Sequence, residues 1–361
     1  MPSVSPPRHV VVCGAGVVGA CVAYFLARRG VAVTVVERTA VACGASGKSG
    51  GFLALDWCDD SPLGPLARAS FALHAGLARA LKTDYGYRRM DTFMVAAREQ
   101  GTVPGGHRVT PPAWIDGAGI MRAALGTTET TAQVHPAQFT TALIEGAQAH
   151  GATLRMSVVE DLVQRDGAAR GVRIDGETLE ADAVVLAMGP WTGRLATPLR
   201  LPRVHGLKGY SVTLDAPGIP AHALFLDYRT ADGRHLEPEV FPRPDGTVYV
   251  CGMRDHQPLP ESAEGVEVSD AACDVLAGAL FRVSATLAGS RITRRQACFR
   301  PVTEDGIPLI GRVPGVTGAY VATGHGPWGM LNAPATGLAL AELVADGAPK
   351  LLDLRPFDPA R

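Results

Sequence analysis

The sequence predicts an α/β protein built around a parallel sheet, and its first fifty residues carry that reading. Val10–Cys13 opens with three valines, Gly14-Ala15-Gly16 forms a turn, and Val17 to Arg29 is a helical stretch closed by Gly30. A second β-branched run, Val31–Val36, follows at once. Strand, turn, helix and strand fit within roughly 30 residues, the size of one βαβ unit.

Val10 to Ala27 carries no charge and is flanked by Arg8 and by Arg28 and Arg29. By length alone this segment suits a membrane span or a signal sequence. The valine run, the glycine turn and the second β-branched run argue for strand, turn and helix instead, so no membrane span is expected.

The glycines have the spacing Gly14-x-Gly16-x-x-Gly19, and Glu37 ends the second strand. Each position has a physical reason in a dinucleotide site. Gly14 allows the tight turn, Gly16 lets the backbone approach a pyrophosphate, and Gly19 lets helix and strand pack closely. The amides of Ala15, Val17 and Val18 lie at a helix N-terminus, where free N–H groups and partial positive charge favour phosphate. Glu37 accepts from ribose hydroxyls and disfavours a 2′-phosphate, which excludes NADP. Arg38 follows directly.

A second run of small residues, Gly44-Ala45-Ser46-Gly47-Lys48-Ser49-Gly50-Gly51, suits close passage of a long cofactor. Further on, a buried strand from Ala183 ends at Gly189-Pro190-Trp191. Another, from Ala319, ends at Gly324-His325-Gly326, and a helix follows to about Ala345.

Between these, Ser61-Pro62 predicts a helix start, with Leu63, Leu66, Leu73, Leu77 and Leu81 as its apolar positions. Pro136 to His150 reads as a helix, and residues 152–180 as an antiparallel meander turning at Asp166-Gly167 and Asp175-Gly176. Tyr210–Leu214, Ala223–Tyr228 and a hairpin across Asp245-Gly246 into Thr247–Cys251 predict a second sheet. Ser269 caps a helix expected to reach about Ala288. His235, Glu237 and Glu239 alternate without a further histidine at ligand spacing, so they read as an exposed strand and no metal site is expected.

Composition bounds the function. The 361 residues suit one large domain or two ordinary ones. The formal net charge of −1, without a basic stripe, excludes a nucleic-acid partner. Seven cysteines without a C-x-x-C pair support neither a disulfide framework nor zinc, and point to a reducing, cytoplasmic setting.

The Gly14–Glu37 fingerprint, the Gly44–Gly51 loop and the Ala187-Met188-Gly189 strand end resemble one family. So do Arg300-Pro-Val-Thr-Glu-Asp-Gly-Ile-Pro-Leu-Ile-Gly311 and Gly324-His-Gly-Pro-Trp-Gly-Met-Leu331. Together they are similar to the FAD-dependent amine and amino-acid oxidases: D-amino-acid oxidase, glycine oxidase and monomeric sarcosine oxidase relatives. The resemblance implies a Rossmann-like FAD-binding domain of the glutathione-reductase type, interleaved with an α+β substrate domain on a mixed or antiparallel sheet. The FAD-binding pieces would be 1–82, 134–200 and 297–361, and the substrate domain 83–133 and 201–296.

The resemblance also implies roles. Arg300 would hold a substrate carboxylate, which suits the two parallel hydrogen bonds of a guanidinium. His325 lies in the turn that faces the flavin, next to Gly324, Gly326, Gly329 and Met330, and Trp328 would wall the pocket. Lys48 would approach the flavin or oxygen, and Tyr210 would line the substrate site. Cys298 stands where sarcosine oxidase relatives attach the flavin through a thioether. Pro327 replaces the second arginine of glycine oxidases, which argues against a plain glycine-type substrate.

The function implied is oxidation of the C–N bond of a small amine or amino acid by hydride transfer to flavin N5. The imine is then hydrolysed and the flavin reoxidised by O2 with release of H2O2. Two other functions suit the same sequence. One is an FAD dehydrogenase of an amino or hydroxy acid that passes electrons to a quinone or protein acceptor. The other is a non-catalytic flavin- or nucleotide-binding sensor or assembly factor.

Overall fold

The computed structural model describes residues 6–196 and 198–361. The first valine run forms the strand His9–Cys13, which pairs in parallel with Ala32–Glu37 on one side and Ala183–Leu186 on the other. Six strands make this sheet, in the order Leu309–Arg312, Ala319–Thr323, Ala183–Leu186, His9–Cys13, Ala32–Glu37, Thr153–Met156. Only the Leu309–Arg312 edge runs antiparallel to its neighbour.

Strand alternation sends side chains to two separate cores. Val10, Val12, Val33 and Val35 face a helical layer of Val17–Ala27, Gly64–Ala80, Pro136–Ala149 and Gly329–Asp346. Val11, Cys13 and Val36 face the other way, against Leu162, Val172 and Ile174. Those three belong to the antiparallel meander Val159–Arg165, Ala168–Ile174 and Glu177–Glu180. Helix Val17–Ala27 is buried along nearly its whole length. Helix Gly329–Asp346 approaches it so closely that a Cβ on Gly337 would lie 2.5 Å from the Cβ of Cys21.

A second, eight-stranded sheet follows the order Ile292–Thr303, Val204–Asp215, Thr247–Asp255, Glu239–Pro242, His222–Arg229, Asp91–Arg98, Ile120–Gly126, with His235–Leu236 beside His222–Arg229. It is mixed: His222–Arg229 and Asp91–Arg98 run parallel and the other pairs antiparallel. Helix Asp270–Val283 covers one face, where Cys273, Leu276 and Leu280 pack on Tyr210, Val212 and Val250. A small sheet of Phe52–Ala54, Thr131–Gln133 and Arg88–Arg89 lies between the two larger ones in sequence.

Three elements differ from the sequence reading. Thr153–Met156 leaves the expected meander and extends the parallel sheet beside Ala32–Glu37. The helix expected from Ser61 begins at Gly64, because the Ser61 hydroxyl is used in the preceding turn, accepting from the Leu63 amide. The helix capped by Ser269 stops at Val283, where the Ser284 hydroxyl donates to the Trp114 carbonyl. The expected boundary at 296/297 falls inside one strand, since Ala297–Thr303 stays paired with Val204–Tyr210.

Candidate active site

A cavity of about 800 Å³ opens at the carboxyl ends of the parallel strands and extends to the uncovered face of the eight-stranded sheet. The carboxyl end of an open α/β sheet is where such folds bind ligands.

The first turn is built by glycine. Gly14 has φ +103°, and a Cβ there would lie 2.6 Å from the Ala187 carbonyl oxygen. Gly19 admits no side chain either, because its Cβ would lie 2.0 Å from the Gly14 oxygen. Gly16, Val17 and Val18 line the cavity, while Ala15 and Gly19 shape the turn behind it. The Glu37 carboxylate accepts from the Ala15 amide at 2.8 Å and the Thr39 amide at 2.9 Å, and lines the cavity beside Arg38.

The second glycine run folds into a short helix, Ala45–Lys48. Ser46, Ser49, Gly50 and Gly51 line the cavity, and Gly47 fits against Ala42, whose oxygen a Cβ would meet at 2.2 Å. Lys48, expected to approach the reacting centre, does not line it. Its ammonium donates to the Ala297 carbonyl at 3.2 Å, fastening this helix to the second sheet.

Gly189 and Trp191 line the cavity from the third strand, and the Trp191 indole donates to Pro260 O at 2.9 Å. His325, Gly326, Trp328, Gly329 and Met330 line it from the C-terminal turn. Gly324, with φ +83°, supports that turn against Thr303. His325 is buried and shares a 3.0 Å hydrogen bond with Thr336 Oγ1. Burial lowers its pKa to about 4, so the ring is neutral at physiological pH.

Arg300 enters from strand Ile292–Thr303 and lines the cavity. Tyr210, expected to line the substrate site, packs in the core under helix Asp270–Val283, and its hydroxyl donates to Asp255 at 2.8 Å. It is Leu207, not Tyr210, that this neighbouring strand presents to the cavity. Cys298 does not line the cavity, and burial pushes its thiol up against the opposing effect of Arg300 and Lys48.

Several cavity residues were not anticipated. Phe52, Trp57, Phe225 and Phe241 join Trp328 as an aromatic wall, with Trp57 and Phe225 rings 4.9 Å apart. Glu239, expected on an exposed strand, faces this cavity, as does Arg254. Glu239 and Phe241 share a strand face at spacing two, the one signal in the sequence that pointed inward. Glu261, Ser262 and Ala263 reach the cavity from a loop that accepts from Arg38 and Arg194 at Glu261 O. Among the described residues no cluster of side chains suits a metal ion, and no helix is long and apolar enough to cross a membrane.

The model of the FAD dependent oxidoreductase (DAO) family matches residues 9–343. The chain belongs to this family. It is 31% identical to an oxidoreductase of Schizosaccharomyces pombe, with 98% of each chain covered. It is 29% identical to a glycine oxidase of Geobacillus kaustophilus over 98% of this chain and 96% of the relative. The crystal structure of a glycine oxidase from Geobacillus kaustophilus superposes with a TM-score of 0.80 over 99% of each chain, at 25% identity.

The cavity fits FAD on its own terms. A Cβ at Gly14 would meet the Ala187 oxygen at 2.6 Å, one at Gly16 would crowd Ser46 Oγ at 3.1 Å, and Glu37 presents a carboxylate beyond this glycine cradle. Ser49 Oγ is buried in the cavity wall with no partner among the described residues, an unmet hydrogen bond that a polar cofactor edge would satisfy.

Proposed function

We propose that this FAD-dependent oxidoreductase oxidises the C–N bond of a small amine or amino acid, yielding an imine that water hydrolyses to an oxo product. When bound, FAD would supply the two-electron acceptor for this oxidation, with O2 as the final acceptor and H2O2 as its product.

The observation that carries this reading is the state of Arg300. This half-buried side chain lines the cavity, and its guanidinium makes no hydrogen bond or ion pair among the described residues. An unpaired guanidinium in an aromatic-walled site is a receptor for a carboxylate, held by two parallel hydrogen bonds that also set its orientation. The aromatic wall excludes water and strengthens that charge pairing. The eighteen-residue helix Gly329–Asp346 starts at the cavity wall, so its N-terminus brings partial positive charge toward negative charge developing there. Neutral His325 holds the turn that precedes this helix. The names of the glycine oxidase relatives support an amino-acid substrate, while Pro327 argues against glycine itself.

The test is anaerobic mixing of the purified yellow protein with a panel of D-, L- and N-alkyl amino acids, primary amines and 2-hydroxy acids. Bleaching by an amine-bearing compound, followed by rapid recovery and peroxide on admitting O2, is expected. Bleaching by hydroxy acids alone, or slow recovery in O2 with fast turnover on an artificial acceptor, would overturn it.

A further inference from the structure

Glu239 lies on strand Glu239–Pro242, between Phe225 and Cys251 on the neighbouring strands, and lines the same cavity as Arg300. Its only hydrogen-bond partner among the described residues is the Cys251 thiol, 3.6 Å from Oε2, and a thiol is a weak donor. No arginine, lysine or histidine among the described residues forms an ion pair with it. Burial raises the Glu239 carboxyl above the usual carboxylate range, and the nearby charges of Arg300 and Arg254 oppose this only in part. Arg254 also lines the cavity without a partner among the described residues.

A half-buried carboxylate whose one protein partner is a thiol is under-satisfied until a ligand or water completes it. The same holds, with opposite sign, for Arg300. One cavity therefore holds the Glu239 carboxylate and the Arg300 guanidinium without ion-pair partners among the described residues, with the exposed Arg254 also lining it, and the charge of Arg300 is felt at Glu239, beneath a wall of aromatic rings. A molecule that meets both needs a carboxylate and a cationic nitrogen a short distance apart. The ring faces add cation–π attraction for such a nitrogen. A simple amine leaves Arg300 unpaired, and an amine-free acid leaves Glu239 unpaired and repelling its carboxylate.

We infer that Glu239 recognises the ammonium of the substrate while Arg300 takes its carboxylate, so that the enzyme selects zwitterionic amino acids over simple amines and over amine-free acids. This rests on the amino-acid reading above and narrows it.

The test uses the FAD-loaded enzyme and two pairs of probes without a hydrogen to transfer from a nitrogen-bearing carbon. These are 2-aminoisobutyrate against isobutyrate, and α-methylphenylalanine against 2-methyl-3-phenylpropanoate. Binding is read from the flavin spectrum and from Trp57 and Trp328 fluorescence. In the wild type the amine-bearing member of a pair binds more tightly. Glu239→Gln weakens that member by roughly tenfold or more and leaves the amine-free member unchanged or tighter. Glu239→Asp keeps the wild-type order. If Glu239→Gln weakens both members equally or neither, or if the wild type prefers the amine-free acid, the inference fails. The wild-type comparison stands even if a variant does not fold. Bleaching by amino acids together with any of those outcomes leaves the C–N oxidation reading intact. If no amine-bearing compound bleaches or binds, that reading and this inference fall together.

Discussion

The Val17 amide donates to the Ser46 hydroxyl at 2.9 Å, so the second glycine run caps the first helix. Gly16, the residue at the helix's own cap position, has no side chain for the task. The two small-residue segments are thereby one unit: the glycine turn that opens the first helix is tied to a hydroxyl 29 residues away. Ser46→Ala removes the cap at a cost of about 1 kcal/mol. A lower urea midpoint for the apoprotein and a raised FAD dissociation constant are expected. Ser46→Thr, which keeps the hydroxyl, should recover most of the FAD affinity.

Glycines separate into those that shape the cavity and those that merely occupy helices. Gly19→Ala puts a Cβ 2.0 Å from the Gly14 oxygen, with the Ala187 Cβ at 3.4 Å beside it, and the Gly14 backbone cannot swing aside as a flexible side chain would. That variant should purify colourless. Gly76 and Gly278 lie inside helices Gly64–Ala80 and Asp270–Val283, and a Cβ at either meets nothing within 4 Å. Alanine there restricts the unfolded chain and improves helix propensity, so each should gain about 0.5–1 kcal/mol. Denaturant midpoints check both, with flavin content unchanged.

The parts of the site formed by local backbone geometry were legible in the sequence. Gly14, Gly16, Gly19 and Glu37 announce themselves because one turn, one helix start and one strand end are set by residues within 30 positions of each other. The substrate end was not. It depends on which face of a sheet looks into the cavity, and both faces of the eight-stranded sheet carry apolar residues. Alternation alone gives two faces and does not say which is which. Tyr210, expected to line the substrate site, packs under helix Asp270–Val283 instead, and a register shift between Tyr210 and Ser211 adds to the difficulty. Glu239 reads as exposed from its neighbours His235 and Glu237, since charges on a strand usually face water. Its inward orientation comes from pairing with Phe225 and Cys251, partners distant in sequence. The expected helix 269–288 was too long for a similar reason, since Ser284 turns to Trp114, far upstream.

Cys298 bears on how FAD is held. The short helix Ala45–Lys48 packs against its strand, with Lys48 on the adjacent Ala297 carbonyl, and the cysteine does not line the cavity. Attack on the flavin requires a thiolate, and the surroundings of this half-buried thiol raise its pKa, which favours the protonated form. Acid precipitation should therefore leave a white pellet and a yellow supernatant, and Cys298→Ala should retain its flavin. A yellow pellet from the wild type and a white one from Cys298→Ala would establish the thioether instead.

His74 joins helix Gly64–Ala80 to the start of helix Gly329–Asp346, its Nε2 lying 3.0 Å from Met330 O and 3.2 Å from Leu331 O. Since both partners are carbonyls, Nε2 carries the proton and donates. Burial lowers the pKa of His74 from 6.5 to about 4, as it does for His325. Between these values the unfolded chain binds protons that the folded protein refuses. The stabilising contribution is thus fully present above pH 6.5 and is lost as pH falls through that value toward 4. Each of the two buried rings contributes on the order of 3 kcal/mol at most. The melting temperature should fall steeply over this interval. His74→Gln, which preserves a donor near the Nε2 position and does not titrate, should flatten the fall while leaving the melting temperature at pH 8 within a few degrees of wild type. An unchanged slope in His74→Gln would show that this ring does not drive the acid response. Because Met330 lines the cavity, flavin release at low pH should follow the same curve, and loss of flavin fluorescence quenching would report it.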